Sequence, residues 1–253
     1  MHREPTLSSR VLGLSVLGLA AVLGARTLQQ AWPDGHASGV PCPDEACIEQ
    51  GLEAEAPLGE ATLSRAQVCV DVGYLCADPA APDSFRVLRW PDPARVLVVA
   101  VPLPDEAPVR AEALRRAAIR GILRWDGTPM RIRIAERATA GEPVDFEIRW
   151  ATQLDDRRLG VTRYEWRRRG KESHFRVVDL ALVTRDPFNL GRTLAPDAME
   201  LAAAHEMGHA LGLGHSDSPE DVMYPENTAL RLTARDYATV AALYRLPDGA
   251  LVR

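Results

Sequence analysis

The stretch HEMGHALGLGH, from His205 to His215, combines residue types and spacings that are typical of a metal site. His205 and His209 are four residues apart, which places both imidazoles on one face of a helix, one turn from each other. Glu206 follows the first histidine, so its carboxylate flanks the same face, where a metal-bound water would need a base. The pattern predicts two imidazole ligands for one ion, with a carboxylate beside it.

Gly212 predicts the end of this helix, because glycine adopts the left-handed backbone conformation of a sharp turn without steric penalty. The chain can then turn back and present His215 as a third ligand. Three neutral imidazoles with one open position form a catalytic zinc site, whereas structural zinc sites are closed by four protein ligands. We therefore expect one catalytic zinc ion, with Glu206 as the general base that acts on its water. The predicted zinc ligands are His205, His209 and His215.

The complete motif, H-E-x-x-H-x-x-G-x-x-H, resembles the signature of the metzincin superfamily of zinc endopeptidases. Met223-Tyr224-Pro225 resembles the methionine-containing turn of that superfamily, and Ser216, directly after the third histidine, is similar to its matrixin family. The resemblance implies the same three ligands and the same base, and it adds Met223 as a residue beneath the histidines. It also allows calcium. The matrixin pattern for a second zinc is missing, so we interpret His174 as a surface residue.

Hydrophobic periodicity outlines the domain that would position this site. Arg95–Val101 is β-branched and apolar, as buried strands are, and Ala107–Trp125 has apolar residues at helical spacing. Alternating patterns predict four more strands, the last two forming a hairpin that turns near residues 169–171. These strands are Met130–Ala135, Val144–Trp150, Leu159–Trp166 and Phe175–Val183.

Two further helices complete the predicted domain. The histidine helix is expected from Asp197 to Leu213, and a closing helix from Leu232 to Leu246, with Thr233 as N-cap and Asp236 in its first turn. This order resembles the matrixin catalytic domain and implies an α+β, zincin-like metzincin fold. Its parts would be a twisted mixed five-stranded sheet, a helix carrying the zinc site and a C-terminal helix. We assign residues 86–253 to this catalytic domain.

Residues 1–31 have the layout of a signal peptide or N-terminal anchor. Basic residues precede an apolar run from Val11 to Leu23, which is shorter than the roughly 20 residues that span a membrane. Small residues follow without a clean cleavage motif, so removal of the segment and its retention as an anchor both stay open. We expect a secreted, periplasmic or extracellular protein, and a membrane-anchored one if the segment stays uncleaved.

Residues 32–85 form a cysteine-containing pro-segment or linker in this interpretation. An even number of cysteines in an exported chain favours disulfides, and four cysteines allow three connectivities. A closed zinc site made of all four is the competing interpretation, although neither pair has the usual C-x-x-C spacing. The cysteines are Cys42, Cys47, Cys69 and Cys76.

Cys42 invites a second hypothesis. Matrixin propeptides keep the enzyme latent with a cysteine that occupies the open position on the zinc. The stretch from Gly39 to Asp44 is faintly similar to that motif, but it lacks the arginine before the cysteine and the glycine after it. The sequence therefore favours a disulfide at Cys42 over a latency role.

The charge balance and the motif together limit the partners. A net charge of −5 does not suggest nucleic acid as a partner, because phosphate binding calls for a basic face. The motif and its resemblance imply protein or peptide substrates, and we expect a monomer. The predicted function is a secreted zinc-dependent endopeptidase. One alternative is a secreted zinc-binding interaction domain without catalysis, which would not need Glu206 beside the water. Another is a protease that acts mainly on its own N-terminal segment.

Overall fold

The structure is a computed structural model. It describes residues 61–70, 72–77, 84–136, 143–169, 172–226, 229 and 231–253. The predicted signal or anchor, Cys42 and Cys47 lie outside the described residues.

Ten strands and four α-helices are present in the described part of the chain, with the helices interspersed among the strands. The strands are β1 (Thr62–Leu63), β2 (Phe85–Arg86), β3 (Val96–Ala100), β4 (Arg131–Ala135), β5 (Phe146–Ala151), β6 (Gly160–Arg169), β7 (Glu172–Val183), β8 (Arg185–Asp186), β9 (Asn189–Thr193) and β10 (Leu251–Val252). The helices are α1 (Arg65–Val68), α2 (Pro108–Leu123), α3 (Pro196–Ala210) and α4 (Ala234–Arg245). A short 3-10 turn, Asp155–Arg157, precedes β6.

The main sheet has five strands in the order β4-β3-β5-β7-β6. All neighbours are parallel except β6 and β7, which form an antiparallel hairpin with a register shift between Arg163 and Tyr164. Four of the five residues of β3 are buried, as expected of an apolar strand that has neighbours on both sides. The predicted mixed five-stranded sheet and its hairpin are therefore confirmed, and β6 is an edge strand.

Helices α2 and α3 pack closely, which fixes the helix that carries the histidines. A Cβ on Gly121 would collide with the backbone carbonyl of Glu200, so only glycine permits this approach. Trp125 is buried and donates its indole N–H to the carbonyl of Ala204 at 2.8 Å. Arg124 pairs with the Glu200 carboxylate at 2.5 Å, which adds a polar contact at the rim of the same interface.

Both predicted helix ends have the expected local chemistry. Thr233 caps α4, and Asp236 returns the contact to the N-cap backbone, which completes a capping box. Helix α3 ends at Ala210, three residues before the predicted end at Leu213, because the chain already turns at Gly212 with φ of 96°. A Cβ on Gly212 would also collide with the carbonyl oxygen of Leu88.

Residues 61–70 and 72–77 pack against the C-terminal part of the chain. Strand β10 lies between β1 and β2 in a small sheet, and β1 pairs with it in parallel. Cys69 and Cys76 form a disulfide with Cα atoms 5.7 Å apart, which excludes a zinc site made of all four cysteines. Part of the segment predicted as a pro-segment or linker is thus in contact with β10 and α4.

Candidate metal centre and active site

The turn after α3 brings the three predicted ligands together. His205 and His209 lie on the buried face of α3, and the reversal at Gly212 returns His215 to the same point. One nitrogen from each of the three rings lies within 4.8 Å of the others. The Nε2 atoms of His205 and His209 are 3.1 Å apart, close to the spacing of about 3.3 Å that two ligands of a tetrahedral zinc would have.

Backbone carbonyls fix which nitrogens point to the centre. The Nδ1 of His205 lies 2.8 Å from the carbonyl oxygen of Val222, and the Nδ1 of His209 lies 2.9 Å from that of Leu213. Since a carbonyl only accepts, each Nδ1 must carry the proton, which leaves the two Nε2 lone pairs facing each other. A cation between them relieves that repulsion. The donor set of three neutral imidazoles therefore fits zinc.

Burial keeps these imidazoles neutral. Loss of solvation lowers the pKa of His205 to about 4 and that of His215 to about 4, with the positive charge of Arg158 adding to the effect on His215. The pKa of His209 is lowered well below its ordinary value, again mainly because the ring is buried. A neutral imidazole is the form that binds a metal, so protons do not compete strongly for this site near neutral pH.

Glu206 lies between α3 and the edge strand β6 and is only 5% exposed. The hydroxyl of Thr162 lies 2.7 Å from its Oε2, and a Cβ on Gly160 would collide with its side chain. Burial raises the pKa of Glu206 to about 8, against the hydrogen bond from Thr162 and the charge of Arg158, which both lower it. A bound divalent cation would act against burial as well and lower the pKa of this carboxyl below that value.

Met223, which the resemblance places beneath the histidines, contacts helix α3 at Gly208. It is completely buried, and its sulfur fills the space where a Cβ on Gly208 would lie. Gly208 directly precedes His209, so the thioether contacts the helix next to one of the predicted ligands. The Met223 carbonyl also accepts the backbone N–H of Ser216 at 2.9 Å, which ties this turn to the segment of the third histidine.

A buried polar network supports the same turn, and the sequence did not reveal it. Asp236 accepts the backbone N–H of Val222 at 3.2 Å, and Val222 is the residue whose carbonyl contacts His205. The other carboxylate oxygen of Asp236 accepts the hydroxyl of Tyr74 at 2.8 Å. Asp236 was recognisable only as a helix-capping residue. Its second role depends on contacts between segments that are far apart in the chain.

The remaining predicted feature is His174, which is exposed on β7 as expected of a surface residue. Within the described ranges, no other group of three or more histidine, cysteine or carboxylate side chains converges as a metal site. Calcium therefore stays an expectation of the resemblance.

The opposite pKa shifts of the histidines and of Glu206 predict that these groups together contribute most to the stability of the metal-free protein near pH 6.5. Below pH 6.5, His205 and His215 bind protons in the unfolded state but stay neutral in the folded state. The free energy of unfolding therefore falls as the pH drops from 6.5 toward 4. Glu206 acts in the other direction. Its folded pKa of about 8 exceeds the ordinary 4.5, so its contribution is lost as the pH rises through that range.

Urea unfolding with a chelator present would check this profile. Above pH 6.5 the titration of Glu206 dominates, so the wild type should lose on the order of 2 kcal/mol between pH 6.5 and 8, relative to Glu206→Gln. A Gln variant that declines as steeply as the wild type over this interval would show that Glu206 is not the group responsible.

Comparison with known proteins agrees with this geometry. Residues 120–245, just under half of the chain, match the family described as matrixin. A 52-residue stretch is 44% identical to macrophage metalloelastase from Rattus norvegicus, covering 19% of this chain and 11% of that protein. A 47-residue stretch is 47% identical to matrilysin from Rattus norvegicus, covering 17% of this chain and 18% of that protein.

A third relative, macrophage metalloelastase from Oryctolagus cuniculus, is 40% identical over 53 residues, or 19% of this chain and 11% of that protein. In each pairing, the match spans less than a fifth of the relative. Members of the matched family are zinc-dependent proteases. The chain therefore carries a matrixin-like metalloprotease catalytic domain with the metzincin fold.

Proposed function

We propose that this protein is a zinc-dependent endopeptidase in which the three converging histidines hold one zinc ion. One observation carries the proposal: three imidazole nitrogens lie within 4.8 Å of one another, and the buried Glu206 is the next residue after His205 on the same helix. A site that only binds zinc would not need the buried carboxylate of Glu206, whose Oε2 lies 2.7 Å from the hydroxyl of Thr162. The proposed ligands are His205, His209 and His215.

The edge strand supplies the surface on which a peptide would bind. A strand at the edge of a sheet presents main-chain N–H and C=O groups to which an extended peptide can pair. Strand β6 is that edge, and its residues Gly160 and Thr162 contact Glu206. We infer that a substrate lies along β6 with its scissile bond near this carboxylate.

The chemistry divides between the ion and the chain. When bound, zinc supplies a Lewis acid that polarises the scissile carbonyl and lowers the pKa of a water to about 7. Glu206 takes the proton from the attacking water as the new carbon–oxygen bond forms. It then gives that proton to the amine nitrogen as the carbon–nitrogen bond breaks. Nδ1 hydrogen bonds to the carbonyls of Val222 and Leu213 hold the two helix histidines in orientation during these steps.

Exchange of Glu206 for glutamine tests this assignment. Glutamine has the same shape but cannot accept the proton, so we expect full zinc binding and a rate of cleavage lower by about 10²- to 10⁴-fold. The measurement is cleavage of an unfolded protein by the zinc-loaded full chain and its Glu206→Gln variant, with the zinc content of both determined. A variant as active as the wild type would exclude Glu206 as the base.

The same experiment separates the alternatives. If both proteins bind one zinc and neither cuts any protein, the interaction domain without catalysis becomes the better account. If the only product is a shortened form of the chain itself, absent in Glu206→Gln, the self-processing alternative gains support. Because β1 pairs with β10 and Tyr74 bonds to Asp236 of α4, we infer that such a cut would fall before residue 61.

We also propose that the protein acts outside the reducing cytoplasm, as a monomer. The Cys69–Cys76 disulfide supports an oxidising compartment. Among the described residues, no helix combines the length and apolar character that crossing a membrane requires. Whether residues 1–31 are removed or retained as an anchor can be checked by sequencing the N-terminus of the exported protein.

A further inference from the structure

One hydroxyl of the edge strand is aimed at the proposed general base. Thr162 is completely buried, and its Oγ1 lies 2.7 Å from Oε2 of Glu206 and 3.0 Å from the backbone carbonyl oxygen of the same residue. The hydroxyl donates to Oε2. Once the carboxyl is ionised, as a general base must be, it can only accept hydrogen bonds, so the threonine is then the donor. A hydrogen bond from a buried hydroxyl to a carboxylate is among the stronger ones in proteins.

We propose that Thr162 is a positioning residue that holds Oε2 of Glu206, so that Oε1 is the oxygen left to accept the proton from the attacking water. This inference rests on the proposed function. It extends the proposed function, because the edge strand would then orient the base as well as bind the peptide.

The backbone makes this hydroxyl a rigid donor. Thr162 pairs with Leu180 in the antiparallel β6–β7 hairpin, and its β-branched side chain has few rotamers. Gly160 lies two residues earlier, on the same face of the strand. A Cβ there would lie 2.8 Å from Oε1 and 2.9 Å from Cδ of Glu206. Glycine thus leaves the space that the carboxylate fills, and threonine provides the donor that fixes its orientation.

A purely structural role is the competing explanation, because the hydroxyl also lies within reach of a carbonyl of α3. The two roles differ in what they affect. A bond to the carbonyl would contribute to stability alone. A bond to Oε2 would also affect the turnover of bound substrate, since a carboxylate free to rotate spends less time in the reactive orientation.

The test compares Thr162→Val, which keeps the shape and loses the hydroxyl, with Thr162→Ser, which keeps the hydroxyl. Both are made in the full chain, loaded with zinc and assayed on one internally quenched peptide. We expect Thr162→Val to bind one zinc with unchanged KM while kcat falls by about tenfold or more, the effect of losing one hydrogen bond to a charged group. Thr162→Ser should recover most of that loss.

Two results would overturn the inference: a kcat of Thr162→Val equal to that of the wild type, whether or not stability falls, or a Thr162→Ser variant as slow as Thr162→Val. If Thr162→Val does not fold, Thr162→Ala takes its place as the variant without a hydroxyl, with the same expectation. Failure of the proposed function has a different signature, because then the wild type itself would not cut or Glu206→Gln would be fully active.

Discussion

Replacing His209 by alanine is expected to weaken zinc binding by roughly 10³-fold and to abolish peptide cleavage at ordinary zinc concentrations. The ring is 1% exposed, and its Nε2 lies 3.1 Å from that of His205, so it faces the centre of the site. Its loss leaves two protein ligands, and the cavity admits water. Competition with a chromogenic chelator would measure the affinity of both proteins.

His174→Ala provides the matched control for this change. His174 is exposed on β7, apart from the histidine group, so its removal should leave zinc affinity and cleavage unchanged. Should His209→Ala bind zinc as tightly as this control, the ion would have to bind elsewhere, and the assignment of the three histidines would be wrong.

Deletion of residues 1–84 is expected to lower the free energy of unfolding by roughly 5 kcal/mol or more, a large part of what a typical domain possesses. The deletion removes three buried apolar side chains, Val68, Tyr74 and Leu75, and the strand that pairs with β10. It also removes the Tyr74 hydroxyl from Asp236, whose other oxygen holds the turn that contacts His205. Urea unfolding of the residue 85–253 form would measure the loss.

The control deletion ends at residue 60 and keeps every one of these contacts. We expect this form to unfold at a higher urea concentration than the 85–253 form and to retain its activity. Equal stability of the 85–253 and 61–253 forms would mean that residues 61–77 are only an appendage. Loss of activity in the 85–253 form alone would place them inside the functional domain.

Local sequence patterns were sufficient to predict most of the framework. The helical spacing of His205 and His209, the turn at Gly212 and the cap at Thr233 each depend on residues a few positions apart. The strands of the main sheet follow from apolar runs and alternation in the same way. These features could be predicted because the residues that determine them lie close together in the sequence.

The missing parts depend on contacts between distant segments. Thr162 and Glu206 are 44 residues apart, and Tyr74 and Asp236 are 162 residues apart, so no periodicity could connect them. Strands β1 and β10 have two residues each, too few to show alternation. The β8–β9 pair was also missed, since its residues have neither the apolar run nor the alternation typical of a buried strand.

The most direct test of the account is a zinc titration of the metal-free full chain, with internal cleavage of an unfolded protein followed at each step. We expect no cleavage without metal, a rate that rises with added zinc, and saturation at one equivalent per chain. Cleavage that persists in protein verified to be free of metal, or none when the three-histidine site is filled, would contradict a zinc-dependent endopeptidase.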